Sequence, residues 1–170
     1  MILATLLSVL AFLAVVHAQT GIIVPLYSYP ETNATWEPLE MVISTFSANV
    51  QFYVIVNPDS GPGVTDTNYQ EAVTALHAYA NVLLVAYVLT GYGRRPLYEV
   101  QQDIKMYAGW PAATGLAGIF FNETLAGLTH TYMAYTNVAR NPVTFLMVYV
   151  DHRQEKEQNL KKGTSRIEDW

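Results

Sequence analysis

Residues Val50 to Thr90 read VQFYVIVNPDSGPGVTDTNYQEAVTALHAYANVLLVAYVLT, and the fold class follows from their pattern. Val50–Val56 is a β-branched and aromatic run with almost no polar interruption, as a strand buried on both faces requires. The stretch from Asn57 to Gly63 is turn chemistry. Thr65-Asp66 can then cap a helix running to about Tyr79, with Val73, Leu76 and Tyr79 at helical spacing. Val82–Leu89 is a second apolar run like the first. Strand, helix and strand together make one βαβ unit of about 30 residues.

The unit recurs on both sides. Ile22–Tyr27, Ala117–Phe121 and Val143–Val150 read as further strands. Trp36, Leu39, Ile43 and Phe46 form an apolar stripe for a helix between the first two strands. Pro96 suits a first helical position, and Val100, Ile104 and Tyr107 supply the stripe that follows. Strand starts at positions 22, 50, 82, 117 and 143 are each separated by roughly one βαβ repeat. The alternation predicts an α/β protein with parallel strands, either a (β/α) barrel or an open doubly wound sheet. No Gly-x-Gly-x-x-Gly follows the first strand, which lowers the dinucleotide-binding reading. No Gly-Lys-Ser/Thr follows Gly61-Pro62-Gly63, so that segment is a turn and not a phosphate loop.

The chain has 170 residues, of which 51% are apolar and 14% charged, and no cysteine. That apolar share supports a packed core and excludes a disordered chain. The lack of cysteine excludes a disulfide scaffold, a thiolate-zinc site and a thiol nucleophile. A net charge of -5 gives no general attraction for phosphate backbones, so nucleic acid is not an expected partner. The four histidines, at 17, 77, 130 and 152, make no His-x-x-x-His pair, and no Gly-x-Ser-x-Gly occurs. Neither a metal nor a cofactor is expected.

Residues 1–18, MILATLLSVLAFLAVVHA, carry an apolar run from Ile2 to Val16, short of the about 20 residues that span a membrane. Val16-His17-Ala18 fits a small-x-small cleavage pattern. A secretory signal peptide is expected, with no stable membrane span after its removal; an uncleaved anchor is the alternative, since no Lys or Arg precedes the run. Residues 19–150 then form the folded domain. Residues 151–170, with five acids and five bases, are expected to lie outside it. Secretion gives meaning to two glycosylation sequons. Asn33-Ala34-Thr35 lies in a polar stretch and is the expected glycan site, while Asn122-Glu123-Thr124 follows an apolar run and is expected to be inaccessible.

Polar residues gather just after the strands: Tyr27-Ser28-Tyr29, Asn57-Pro58-Asp59-Ser60, Thr90 to Arg95, and Asn122-Glu123-Thr124. In parallel α/β folds the loops at the carboxyl ends of the strands converge on one mouth. Tyrosines, amides and acids there suit a sugar-binding groove, although each cluster alone also reads as an ordinary turn. Glu123 follows Gly118-Ile119-Phe120-Phe121, and a carboxyl against poorly hydrated aromatic walls suits general-acid work. Its alternative is a first-turn helix acid answering the macrodipole, with Thr124 as cap.

Taken in order, "GIIVPLYSYP", "VNPDSGPG", "YVLTGYGRR", "W…GIFFNE" and "NP" resemble the spherulation-specific family 4 (spherulin-4-like) proteins, from about Gly21 to Pro142. The resemblance implies a secreted, largely fungal and microbial protein with a (β/α)8 barrel. It also implies glycoside hydrolases acting on amino-sugar exopolysaccharide of the galactosaminogalactan type. The family's fourth strand typically ends in Phe-Asp-Glu, an acidic pair implicated in catalysis, and another Glu comes from a later strand. Carried over, the pair falls on Asn122 and Glu123: the glutamate matches, and an amide that cannot ionise replaces the aspartate. Ala86 and Val143 stand where the family usually has glycine. Glu123 is then the catalytic acid/base and Asn122 a substrate-orienting residue, with Tyr27, Asn57, Asp59 and Tyr92 lining the groove. After Pro142 the resemblance fades. A full barrel takes about 250 residues, so an incomplete barrel of about five of eight βα units is expected, from a truncated product or a misplaced exon boundary. Activity is then in question. The alternative is a non-catalytic protein that binds carbohydrate or associates with a cell or spore wall.

Overall fold

The computed structural model describes residues 20–32 and 34–124, and residues 145–150 as a strand. The expected signal segment, Asn33, Asn141-Pro142 and the charged tail lie outside the described residues.

Five strands, β1 (Thr20–Leu26), β2 (Val50–Val56), β3 (Val82–Leu89), β4 (Leu116–Thr124) and β5 (Phe145–Val150), form one sheet. Three helices connect the first four: α1 (Glu37–Thr45), α2 (Thr67–His77) and α3 (Leu97–Ala108). The bounds of β2 and β3 agree with the sequence reading to the residue. β4 is longer than expected and takes Asn122 and Glu123 into the strand, so Glu123 is not a first-turn helix acid.

Every adjacent pair is parallel, and the order is β1-β2-β3-β4-β5. A doubly wound sheet reverses its strand order at a switch point. This one never reverses, and right-handed crossovers then carry the helices to a single face. The two faces differ accordingly. On one, Phe52, Val54, Val56 and Leu84 pack with Ile43, Val73 and Leu76 of α1 and α2, and Ala86, Val88, Ile119 and Phe121 pack with Val100, Ile104 and Tyr107 of α3. On the other, Ile55, Val85, Tyr87 and Phe120 form a cluster without any helical residue. This is the singly wound geometry of a (β/α) barrel, whose interior is filled from alternate strand positions.

Local chemistry accounts for the helices. Asp66 caps α2, its carboxylate accepting from the Tyr69 N–H at 3.1 Å. The Tyr29 hydroxyl donates to the same carboxylate at 2.7 Å, tying the segment after β1 to the start of α2. These bonds, that from Tyr29 first, hold the Asp66 carboxyl below the usual aspartate range. Ile43, Val73, Leu76 and Val100 are fully buried, each worth roughly 1.5–3 kcal/mol of transfer free energy. Phe46 departs from the expected stripe: α1 ends at Thr45, and Phe46, at the C-cap, is 50% exposed. The chain there is already turning back toward β2, so the last position of the stripe leaves the helix axis. At the amino end of the sheet the buried amide of Asn81 donates to the carbonyls of Ile43 and Val50, a purely structural closure.

Candidate functional site

Strand alternation decides which side chains meet at the carboxyl end. Tyr87 and Phe120 are register partners on the face away from the helices, and Leu89 pairs with Asn122 two residues further along, on the same face. The Tyr87 and Phe120 rings are 6.2 Å apart. Tyr27, which directly follows β1, packs edge-on against Tyr87 at 5.8 Å. Tyr87 is 6% exposed and Tyr27 53%, so the pair runs from a buried floor to an open rim. Asn122 Nδ2 donates to the Tyr87 hydroxyl oxygen at 2.7 Å.

Glu123 reaches this group by an irregularity. In a regular strand, neighbouring residues point to opposite faces, which would separate Asn122 from Glu123. Between β4 and β5 the register jumps from Phe121↔Val148 to Thr124↔Val150, so two residues of β4 stand against one of β5. That is a bulge, and bulges re-aim side chains. Glu123 occupies the left-handed region at φ 55°, rare for a residue with a side chain. Its charge acts on Tyr87: burial first, then Tyr27 and Glu123, push that phenol up to about 12, against the opposing Asn122 hydrogen bond. Asn122 and Glu123, adjacent in sequence, therefore both bear on one hydroxyl. Tyr87 stays protonated throughout the physiological range and is a donor, not a base.

The remaining sequence candidates divide. The Tyr92 N–H donates to the Glu123 carbonyl at 2.6 Å, while the Arg94 guanidinium sits 5.5 Å over the Tyr92 ring. Tyr92 thus joins the site through its backbone. Asn57 Oδ1 accepts from the Gly61 N–H at 3.1 Å and closes the turn after β2. Asp59 lines a separate shallow depression with Gly61, Gly63, Arg95 and Asp103. There Arg95 Nη1 donates to Asp103 at 2.8 Å and to the Leu89 carbonyl at 2.7 Å, fastening the end of β3 to α3. Thr124, the acceptor-defining residue of the second sequon, is fully buried in β4. Among the described residues no three His, Asp or Glu side chains gather as metal ligands.

Tyr87 escaped the sequence reading, and Thr90 entered it only as part of a polar strand-end cluster. Tyr87 lies inside the apolar run VLLVAYVL, where it reads as core; counting alternate positions back from Leu89 marks it as facing the barrel interior. Thr90 reads as an ordinary strand-end residue, yet it is fully buried and contacts both Asn122 and Glu123.

A singly wound parallel sheet with its polar residues at the carboxyl rim defines a (β/α)-barrel-type α/β protein. Residues 21–153 match spherulation-specific family 4. The chain belongs to that family. It is 38% identical over 120 residues to Spherulin-4 of Physarum polycephalum, covering 69% of this chain and 33% of that one. Its structure is similar to Aspergillus clavatus Sph3, solved as a crystal structure in complex with GalNAc, with a TM-score of 0.69 and 37% identity. That likeness covers 76% of this chain and 57% of Sph3. The chain thus spans about a third of the slime-mould relative and somewhat over half of the fungal one.

Proposed function

We propose that this chain is a secreted, glycoside hydrolase-like protein that takes an amino-sugar polysaccharide of the galactosaminogalactan type at the rim formed by Tyr27, Tyr87, Asn122 and Glu123. The observation that carries the reading is the hydrogen bond from Asn122 to Tyr87 at the carboxyl rim, with Glu123 next to it on the bulge, in a fold shared with a relative crystallised with GalNAc. An exposed tyrosine face suits the apolar face of a pyranose ring. The Tyr87 hydroxyl proton and the Asn122 amide suit sugar hydroxyls or an acetamido group. Glu123 is the group able to give or take a proton.

Glycosidases use two carboxyl groups, one as acid and one as base or nucleophile. The amide at Asn122 favours a second reading, that of a non-catalytic glycan-binding protein. The rim would hold the sugar in both cases, and only the first requires bond cleavage.

Binding of GalNAc and of galactosaminogalactan to the full chain, followed by calorimetry, tests the shared part. Binding that weakens on Tyr87→Phe supports the rim as the sugar site; no binding of either ligand removes it. Release of reducing sugar that Glu123→Gln abolishes selects the hydrolase. Binding without release selects the binding protein.

A further inference from the structure

We propose that Thr90, together with the Tyr92 amide, is a positioning residue that holds the Glu123 backbone in its left-handed conformation and so sets where the carboxylate stands. That this carboxylate serves a sugar site rests on the function proposed above; the clamp itself rests on geometry. Thr90 is fully buried at the end of β3. Its N–H donates to the Asn122 carbonyl at 3.1 Å, continuing the ladder by one rung. Its hydroxyl lies 2.9 Å from that carbonyl and 2.7 Å from the Glu123 carbonyl, so it bridges the two peptides that make the bulge. The Tyr92 N–H donates to the same Glu123 oxygen at 2.6 Å.

The loop is shaped for this. Gly91, Tyr92 and Gly93 are all left-handed, at φ 57°, 57° and 74°. That curl carries the chain back over the end of β4, and glycines on either side make it accessible. Arg95 fixes the far end of the loop through the Leu89 carbonyl and Asp103. A glutamate does not favour this region, so it must be held there by its surroundings. Without the hydroxyl, the Tyr92 amide alone holds the Glu123 carbonyl, and the peptide can relax toward extended backbone. Strand alternation would then turn its side chain toward the helix face, away from Tyr87.

Tyr87 reports on that change, because its titration senses Glu123. The test is NMR titration of the full chain labelled at the tyrosine ζ-carbon, with Tyr87 assigned by its loss in Tyr87→Phe. The Tyr87 midpoint is expected to fall in Glu123→Gln, to fall by a comparable amount in Thr90→Val, and to remain at the wild-type value in Thr90→Ser. A folded Thr90→Val with a wild-type Tyr87 midpoint overturns the proposal. Should Thr90→Val fail to unfold cooperatively, amide exchange in the wild-type chain decides. A Tyr92 N–H exchanging at least 100-fold more slowly than an open peptide supports the clamp, and exchange at the open rate overturns it. Neither readout needs glycan cleavage, so a failed hydrolysis assay strikes the proposed function and leaves this inference standing.

Discussion

The Asn122 side-chain amide donates to the Tyr87 hydroxyl oxygen at 2.7 Å, joining residues on neighbouring strands 35 positions apart. The bond fixes the amide at the place where the family resemblance expects a carboxylate. It also orients the phenol, whose own proton is then directed away from Asn122. The site is therefore organised as it stands, with an amide that can hold a substrate but cannot exchange protons.

Replacing that amide by an acid should restore the missing titratable group. Asn122→Asp is expected to raise sugar release from an amino-sugar polymer by about 100-fold over wild type, the low end of what general acid–base catalysis contributes. Reducing-end assays on the two proteins check it. Equal rates would remove Asn122 from the chemistry.

Glu123 should be a stability liability. A side chain in the left-handed region costs roughly 1–2 kcal/mol, and glycine relieves it. Glu123→Gly is therefore expected to raise the unfolding free energy by about 1 kcal/mol, while ending any sugar cleavage. Urea unfolding measures the first effect. A less stable glycine variant would mean that the glutamate side chain contributes packing that its half-buried position does not suggest.

Asp66 should shape the acid limb of stability. The folded state holds its carboxyl below the ordinary value of 3.8, through Tyr29 first and then the Tyr69 amide. A carboxyl depressed in this way adds stability at pH above that ordinary value. The contribution is lost as pH falls through the lower folded value. Asp66→Asn retains a capping side chain but cannot titrate. Its unfolding midpoint should change less than wild type between about pH 4 and pH 2. Parallel curves for the two proteins would contradict this.

Gly115 follows the short 3₁₀ turn 112–114 at φ 60°, with the His77 ring lying where a Cβ would go. Alanine there meets two obstacles, the backbone conformation and the imidazole. Gly115→Ala should lose about 2 kcal/mol, and adding His77→Ala should return the part due to the ring. Thermal unfolding of the three variants reads the split. No recovery in the double variant would show that the His77 ring swings aside without cost.

Much of this architecture is written locally. β2 and β3 are legible to the residue because a continuous β-branched run tolerates only burial on both faces. α2 is legible from a capping aspartate and the buried spacing of Val73 and Leu76. Tyr27, Asn122 and Glu123 were identifiable as strand-end polar residues for the same reason.

The alternation of strand and helix does not by itself choose between a barrel and a doubly wound sheet, because both write it; in the sequence only the family motifs point to the barrel. Strand order separates them, and order is a property of which strands pair, not of any one segment. Tyr87 looked like core until its register with Phe120 placed it on the interior face. Asn57 and Asp59 looked equivalent to Tyr27, but the structure gives one to a turn and the other to a separate depression. The α/β class, the strands and the polar tips are written in short stretches of chain, since hydrophobic period and capping depend on neighbours a few residues away. That Asn122 and Glu123 stand together beside Tyr87 follows from long-range pairing alone. Their placement needs a bulge and a loop from the adjacent strand, and hydrogen bonds between distant peptides leave no periodic trace in the chain.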